Sequence, residues 1–286
     1  MSRNRDRTGM MPSTPTNSPA PPQLETGNTS GFSFVVPTEF VELPSKGRFY
    51  PPNHPLHNQE TIEIKQMTAK EEDMLTSRSL LKKGIALDRM MASLITNKQI
   101  DANHLLVGDR NAILIAARCS GYGTEYATKV TCPGCATQQA YTFDLNQAEV
   151  YTAEAIDPSE ARLSEDRTYT TMLPRTKIEV TFRLLTGVDE HNFMMQLENA
   201  RKKRKSERTV TRQLQQFIVA VNGSAEQEHI NYVIENMPSS DSRHLRSVYK
   251  LATPNVDLTQ HFECNECDHE QNMEVPLTAD FFWPDR

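Results

Sequence analysis

Long apolar runs are missing from this chain of 286 residues. The longest strongly apolar stretch, Ala112 to Ala117, is far too short to cross a bilayer, which takes about 20 residues. The charged first residues are followed by Ser, Thr, Pro and Gln, where a secretory signal would place an apolar segment. We therefore expect no membrane association and a location in a reducing cytoplasm, where cysteines remain free thiols or bind metal.

An excess of positive charge is also missing. The chain holds 31 Lys and Arg against 37 Asp and Glu, so it has no overall attraction for nucleic acid. One local basic cluster can contact phosphates or an acidic protein partner, although it has no interleaved aromatic side chains for base stacking. The simpler interpretation is a solvated helix face. The basic cluster spans 201–212 and consists of Arg201, Lys202, Lys203, Arg204, Lys205, Arg208 and Arg212.

Catalytic signatures are missing as well. The chain has no phosphate-binding G-x-x-x-x-G-K-[ST] loop, no nucleophile elbow and no H-E-x-x-H pair. Asp109 is explained as the N-cap of a helix over 109–120 that ends at Gly121, and Arg110 as its neighbour on an exposed turn. We therefore expect no enzymatic activity and no small-molecule substrate.

Composition divides the chain into four regions. Residues 1–31 are rich in Pro, Ser, Thr, Asn and Gly and are predicted to be a disordered tail. Residues 32–149 are predicted to form an N-terminal α+β region with the first of two cysteine pairs. Residues 150–256 are predicted to be mainly helical, and residues 257–286 to carry the second cysteine pair and a C-terminal tail.

Local patterns place elements within these regions. Alternating apolar and polar residues predict strands, and apolar residues at three- and four-residue spacing predict helices. Thr68 and Glu71 have the spacing of a capping box and predict a helix start, while Thr186 opens another helix. The predicted strands lie at 32–36, 40–43, 61–65 and 177–185, and other predicted helices at 86–95, 109–120, 211–221, 226–236 and from 240 onward.

What the chain does contain is five cysteines, four of them in two C-x-x-C pairs. Each pair has an apolar residue two positions before it, and apolar residues at +9, +11 and +13 from its first cysteine. The repeat predicts strand, turn and strand twice. The first copy has Cys132 and Cys135 followed by Tyr141, Phe143 and Leu145, and the second has Cys264 and Cys267 followed by Met273, Val275 and Leu277.

Two thiolates three residues apart can face one ion, and two such pairs complete a closed tetrahedral site. We therefore predict one structural zinc ion bound by Cys132, Cys135, Cys264 and Cys267. Four thiolates leave no open position for water, so the predicted site is structural and not catalytic. The 128 residues between Cys135 and Cys264 then lie between the two halves of a single zinc ribbon.

The cysteine pairs also have other interpretations. They can be incidental reduced thiols, or Cys132-Pro-Gly-Cys135 can be a redox dithiol, although such motifs normally open a helix. His261 and His269 lie near the second pair and can replace a ligand. Cys119 is interpreted as a small buried core residue. The competing binding function is that of a zinc-ribbon protein that contacts nucleic acid through the basic cluster.

Further short motifs follow one another along the chain from about residue 38 onward. Together with the two cysteine pairs, their number and order resemble the T4-type bacteriophage baseplate hub and hub-assembly proteins. None of them is a catalytic signature. The motifs are Val41-Glu-Leu-Pro-Ser-Lys-Gly-Arg-Phe-Tyr-Pro51, Gln66-Met-Thr-Ala-Lys-Glu-Glu-Asp-Met-Leu75, Leu106-Val-Gly-Asp-Arg-Asn-Ala-Ile-Leu114, Tyr122-Gly-Thr-Glu-Tyr126, Leu184-Leu-Thr-Gly-Val-Asp-Glu190 and Pro276-Leu-Thr-Ala-Asp-Phe-Phe-Trp-Pro284.

The resemblance implies a non-enzymatic phage tail protein that takes part in assembly of the baseplate hub, as a hub component or as an assembly chaperone. It implies other tail and baseplate hub proteins as partners. It also implies the host cytoplasm during assembly, and the virion tail baseplate, as locations. The residue patterns themselves predict an α+β fold in which a split four-cysteine zinc ribbon of two β-knuckles encloses a mainly helical insertion, preceded by N-terminal β-strands and a disordered tail.

Overall fold

Helices alternate with short antiparallel strands along the chain, which confirms the mixed α and β fold. Thr38–Arg286 forms one compact unit. The tail predicted at 1–31 lies outside the described residues, as do the first three residues of the strand predicted at 32–36. The computed structural model describes residues 35–154, 156–203, 208–275 and 279–282.

The elements are numbered in chain order, and the pairs of strands are all antiparallel. The helices are α1 (Ala69–Thr76), α2 (Arg78–Lys83), α3 (Ala86–Leu94), α4 (Val107–Tyr122), α5 (Gly187–Lys202), α6 (Thr209–Phe217), α7 (Gln227–Asn236) and α8 (Ser239–Ala252). The strands are β1 (Thr38–Glu42), β2 (Thr61–Lys65), β3 (Glu125–Thr131), β4 (Gln138–Asp144), β5 (Glu149–Tyr151), β6 (Arg162–Leu163), β7 (Tyr169–Met172), β8 (Glu179–Phe182), β9 (Ile218–Val221), β10 (Asn255–Asp257), β11 (Thr259–Glu263) and β12 (Glu270–Glu274).

The N-terminal strands predicted near residues 40 and 61 are confirmed as the pair β1 and β2. Val41 lies opposite Ile62 in this pair, and both side chains are buried. Alternation along each strand turns these residues to one face and leaves Phe40 exposed on the other. The buried face joins the core that also takes Leu94 from the predicted helix α3.

The capping box predicted at the start of α1 is present. The backbone N–H of Thr68 donates to Glu71 Oε2 at 3.0 Å, and Ser93 Oγ donates to Glu71 Oε1 at 2.6 Å. Lys65 Nζ lies 3.4 Å from the same carboxylate, whose side chain is fully buried. Burial alone raises the pKa of Glu71, but the hydrogen bonds from Ser93 and Thr68 outweigh it and lower the pKa to about 2.

We expect part of the stability to be lost in acid through Glu71. Its ordinary pKa is 4.5 and its folded-state pKa is about 2, so its contribution is complete above pH 4.5. The contribution falls as the pH drops from 4.5 to about 2, because the unfolded chain binds the proton first. In urea unfolding, the wild type should lose about 2 kcal/mol in this range that Glu71→Gln does not lose. Equal losses in the two proteins would contradict the assignment.

Two predictions about the first turn of α4 were wrong, because the helix begins two residues before the expected N-cap. Asp109 lies inside the helix, fully buried, and accepts hydrogen bonds from Ser45 N at 3.0 Å, Ser45 Oγ at 2.6 Å and Tyr50 Oη at 2.6 Å. Arg110 is also buried, and its Nη2 donates to Asp88 Oδ1 at 2.6 Å. These partners lie 22 to 64 residues away, so the local pattern could not show them.

Gly108 lets the first turn of α4 pack directly onto a distant backbone. A methyl group added there would lie 2.0 Å from the carbonyl oxygen of Pro254. Gly108→Ala is therefore expected to lower the free energy of unfolding by about 1–3 kcal/mol, measured in urea. Gly121→Ala in the last turn is the matched control, since its nearest neighbour is the Met67 side chain at 3.6 Å. A control variant that loses as much stability would show that the close approach is not the cause.

The region between the two cysteine pairs contains a four-stranded sheet, in the order β6-β7-β8-β9, in addition to helices α5 to α8. The helix predicted over 211–221 was wrong at its end, because α6 stops at Phe217 and the chain continues as β9. The run Ile218-Val-Ala-Val221 favours a strand, since β-branched side chains pack well on a pleated surface. Val221 lies opposite Val180 in the sheet.

Aromatic side chains attach this sheet to α8. The ring of Phe182 in β8 lies 5.8 Å from that of Tyr249 in α8, and Phe217 at the end of α6 stacks on Tyr249 at 4.3 Å. Asp241 in the first turn of α8 is buried and accepts hydrogen bonds from the turn between β7 and β8. The sheet and α8 therefore form one packed layer pair.

Strands β5 and β10 pair with each other although the sheet and four helices lie between them in sequence. Val150 lies opposite Val256, and Tyr151 Oη donates to the carbonyl oxygen of Leu251 at 2.6 Å. The segment between β5 and β10 therefore begins and ends at the same place in the fold. β4 ends just before this pair and β11 begins just after it, which brings the two cysteine-bearing segments close together.

Candidate metal centre

The first cysteine pair lies in the turn of a hairpin formed by β3 and β4, called the first hairpin below. Its last strand partners are Thr131 and Gln138, on either side of the turn. Within the turn, Cys132 N donates to Thr137 O at 2.9 Å and Ala136 N donates to Cys132 O at 2.8 Å. Ala136 takes a positive φ of 59°, which completes the reversal.

The second hairpin, formed by β11 and β12, repeats this geometry. Cys264 N donates to His269 O at 3.0 Å, Asp268 N donates to Cys264 O at 3.1 Å, and Asp268 takes a positive φ of 50°. Each bond and the positive φ fall at the same offset from the first cysteine as in the first hairpin. The predicted repeat of strand, turn and strand is confirmed, although the returning strands end at Asp144 and Glu274, one residue before Leu145 and Val275. Leu277 lies outside the described residues.

Side-chain contacts hold the two hairpins together. Asp144 N donates to Gln260 Oε1 at 3.1 Å, and Gln260 Nε2 returns a bond to Asp144 O at 2.8 Å. Tyr141 Oη donates to His261 O at 3.0 Å, and its ring lies 5.1 Å from that of Phe262. The +9 aromatic residue of the first copy therefore packs on the strand that leads to the second cysteine pair.

The four sulfurs of Cys132, Cys135, Cys264 and Cys267 form the four-cysteine cluster, in which all Sγ atoms lie within 4.8 Å of one another. Cys132 Sγ lies 3.7 Å from Cys267 Sγ, and Cys135 Sγ lies 3.8 Å from Cys264 Sγ. Four sulfurs about 2.3 Å from a central zinc ion lie about 3.8 Å from one another, whereas a disulfide needs about 2.05 Å. The cluster could therefore hold a metal ion.

The thiols of the four-cysteine cluster differ in pKa. Hydrogen bonds from the side chain and the backbone of Thr137 lower the pKa of Cys135 to about 6. A backbone bond from His269 lowers the pKa of Cys267, but its contacts with the other thiols outweigh this and raise the pKa to about 12. Four negative sulfurs this close repel one another, so a cation is needed before all four thiols ionise.

The other candidate ligands have different surroundings. His269 lies over the first hairpin, where a methyl group added to Gly134 would approach its ring to 3.1 Å. The backbone oxygen of His261 accepts the bond from Tyr141. Cys119 is half-buried on α4, packs against the core, and has its pKa raised by burial. Among the described residues, the group of metal-ligand side chains that comes together is the four-cysteine cluster.

The basic cluster begins in the last turn of α5, and its Arg204 and Lys205 lie outside the described residues. Several of its members make contacts within the chain. Lys202 Nζ lies 3.3 Å from Glu198, Arg208 Nη2 donates to Glu235 at 3.1 Å, and Arg212 Nη1 donates to Gln196 O at 3.1 Å. These contacts are exposed, which is typical of a solvated helix end.

Fold and site together define a mixed helix and strand protein with a cysteine cluster suited to a metal ion. The family model described as T4 bacteriophage base plate protein matches residues 36–283. The chain therefore belongs to the T4 bacteriophage base plate protein family, which confirms the resemblance noted from its motifs. No curated protein and no solved structure matches the chain. In the part of the chain that the structure describes, no helix has the length and apolarity to cross a membrane.

Proposed function

We propose that this chain is a non-enzymatic structural protein that takes part in assembly of the phage baseplate hub, stabilised by one structural zinc ion. The observation that carries the proposal is the four-cysteine cluster, whose four sulfurs come within 4.8 Å of one another from two hairpins that are far apart in sequence. Membership of the base plate family supports the location in the tail.

Zinc fits the cluster for two reasons. Thiolate is a soft ligand that favours zinc or iron over magnesium and calcium, and the sulfur spacing matches a tetrahedral zinc site. Four thiolates also occupy every position of such a site, so neither water nor a substrate can bind the ion. The two C-x-x-C pairs lie in hairpin turns and not at a helix start, where a redox dithiol is usually found.

Elemental analysis of the purified chain tests the metal directly. We expect one zinc ion per chain after dialysis without chelator. One iron ion per chain would keep the site and change its metal, since tetrahedral thiolates also bind iron. A chain that contains neither metal, and gains no stability when zinc is added, would contradict the proposal.

The proposed partners are other tail and baseplate hub proteins, which the chain would meet in the host cytoplasm during assembly. A tagged chain expressed during infection should retain such proteins after a wash at moderate salt. If it recovers no tail protein, the assembly role is wrong. If it recovers nucleic acid in a salt-sensitive way, and neutral variants of Lys202 and Lys203 abolish this, the competing nucleic-acid function is favoured.

Two roles within hub assembly differ in where the chain ends up. A hub component stays in the virion tail baseplate, whereas an assembly chaperone leaves before the particle is complete. Quantitative mass spectrometry of purified particles and of infected-cell lysate separates the two. A constant number of copies per particle indicates a hub component, and abundance in lysate without the chain in particles indicates a chaperone.

A further inference from the structure

The four cysteines differ in their exposure to solvent, and the difference follows the repeat. The first cysteine of each pair is buried, with Cys132 at 0% and Cys264 at 1% exposure. The second cysteine of each pair, Cys135 and Cys267, is exposed. One cysteine in each hairpin is therefore open to solvent and small solutes.

Each exposed cysteine also lies next to a buried cysteine of the other hairpin. Cys267 Sγ is 3.7 Å from Cys132 Sγ, and Cys135 Sγ is 3.8 Å from Cys264 Sγ. The close contacts thus pair an exposed residue with a buried one, and both pairs join the two hairpins. A thiolate attacks an oxidised sulfur that it can reach, so this arrangement decides which bonds can form.

We propose that the four-cysteine cluster is a site of oxidative modification, at which peroxide converts the four cysteine side chains into two disulfides between the hairpins, Cys132–Cys267 and Cys135–Cys264. The cross-links depend only on the arrangement of the sulfurs. The accompanying release of a metal ion rests on the proposed zinc site.

The chemistry begins at an exposed cysteine. The thiolate of Cys135 attacks one oxygen of hydrogen peroxide, the O–O bond breaks, and a sulfenic acid and hydroxide form. The hydroxide takes the proton of the Cys264 thiol, and the Cys264 thiolate attacks the sulfenic sulfur, forms the S–S bond and expels a second hydroxide. Each disulfide consumes one peroxide, which is reduced to two hydroxide ions as the two sulfurs are oxidised, and the hydroxide ions become water with the protons of the two thiols or of the solvent. Cys267 and Cys132 then react in the same way.

Oxidation of this kind replaces the metal ion between the two hairpins with covalent cross-links. A disulfide sulfur is a poor ligand, so the metal ion leaves when the thiolates are consumed. The covalent bonds still join the same two hairpins, because both close contacts run between them. Disulfides within each C-x-x-C pair would instead leave the hairpins unconnected at this point.

Tryptic mapping of the oxidised full chain distinguishes the two outcomes. The peptide 130–162 holds both cysteines of the first pair, and the peptide 251–286 holds both cysteines of the second. The metal-loaded chain is treated with hydrogen peroxide, remaining thiols are alkylated in acid to prevent exchange, and the digest is analysed without reduction. We expect the two peptides to be joined, with fragmentation spectra assigning Cys132–Cys267 and Cys135–Cys264.

Thiol and metal counts complete the experiment. Five free thiols should fall to one, and the metal found before oxidation should appear in solution in step with the loss. Cys119→Ser, which removes the remaining thiol, is the control and should give the same joined peptides. Separate peptides, each carrying an internal disulfide, or oxidation to sulfonic acid without any disulfide, would overturn the proposal. If a chain that never held metal gives the joined peptides, the cross-linking proposal stands and the proposed zinc site is refuted.

Discussion

Cys264→Ser is expected to lose the bound metal and to unfold the two hairpins, the largest effect that a single substitution should have here. Cys264 is buried beneath the cluster and lies 3.8 Å from Cys135 Sγ, so its loss removes an inner ligand. Structural zinc sites contribute about 10–16 kcal/mol of apparent binding energy. Serine is a far weaker ligand, and we expect at least about 5 kcal/mol of stability to be lost.

The measurements are metal content and thermal unfolding of the purified variant beside the wild type. Cys119→Ser is the matched control, because Cys119 is a half-buried thiol on α4 and not part of the cluster. It should keep its metal and unfold within a few degrees of the wild type. A Cys264→Ser protein with full metal content and unchanged melting would mean that the cluster does not hold the ion.

Asp109→Ala is expected to cost about 3–5 kcal/mol, the second largest effect. The substitution leaves three buried donors, two on Ser45 and one on Tyr50, without the carboxylate that accepts their hydrogen bonds. Each unsatisfied buried donor costs about 1–3 kcal/mol, and water has little access because Asp109 is fully buried. Urea unfolding at neutral pH, with metal bound, measures the loss.

Asp109→Asn separates shape and hydrogen bonding from charge. Burial raises the pKa of Asp109 despite the hydrogen bonds from Ser45 and Tyr50, so its ionised form is costly in the folded state. The amide keeps the size and one accepting oxygen and removes the charge, and it should lose clearly less stability than alanine. An alanine variant within 1 kcal/mol of the wild type would show that water or a shifted side chain satisfies the donors.

The cysteine cluster could be predicted from sequence because the pattern of residues that specifies each half is local and occurs twice. Each hairpin turn is specified by residues within a few positions of its first cysteine, such as Ala136 and Asp268 with their positive φ. The spacing rule of thiolate ligands then requires the two turns to meet. The predicted secondary structure near Thr68 and Glu71 also succeeded, since a capping box is satisfied within one turn.

The missed features depend on partners that local patterns do not show. Aspartate is common at helix caps, so the local pattern predicts a cap at Asp109, while its actual donors come from a loop about 60 residues earlier. The local pattern also predicts an exposed Arg110, although a buried arginine is tolerated when a carboxylate such as Asp88 pairs with it. The predicted end of α6 was wrong for another reason. Ile218-Val-Ala-Val221 is compatible with a helix or a strand, and pairing with β8 selects the strand.

The pairing of β5 with β10 has a consequence for the order of folding. Along the chain, 128 residues separate Cys135 from Cys264, and closing so long a loop in one step is slow. Once Val150 is opposite Val256, however, the path between the two cysteine pairs shortens to about 20 residues. The two hairpins then have to close a loop no longer than that of an ordinary local contact. We therefore expect the metal to bind late in folding and quickly, after the long-range pairing of β5 with β10 has formed.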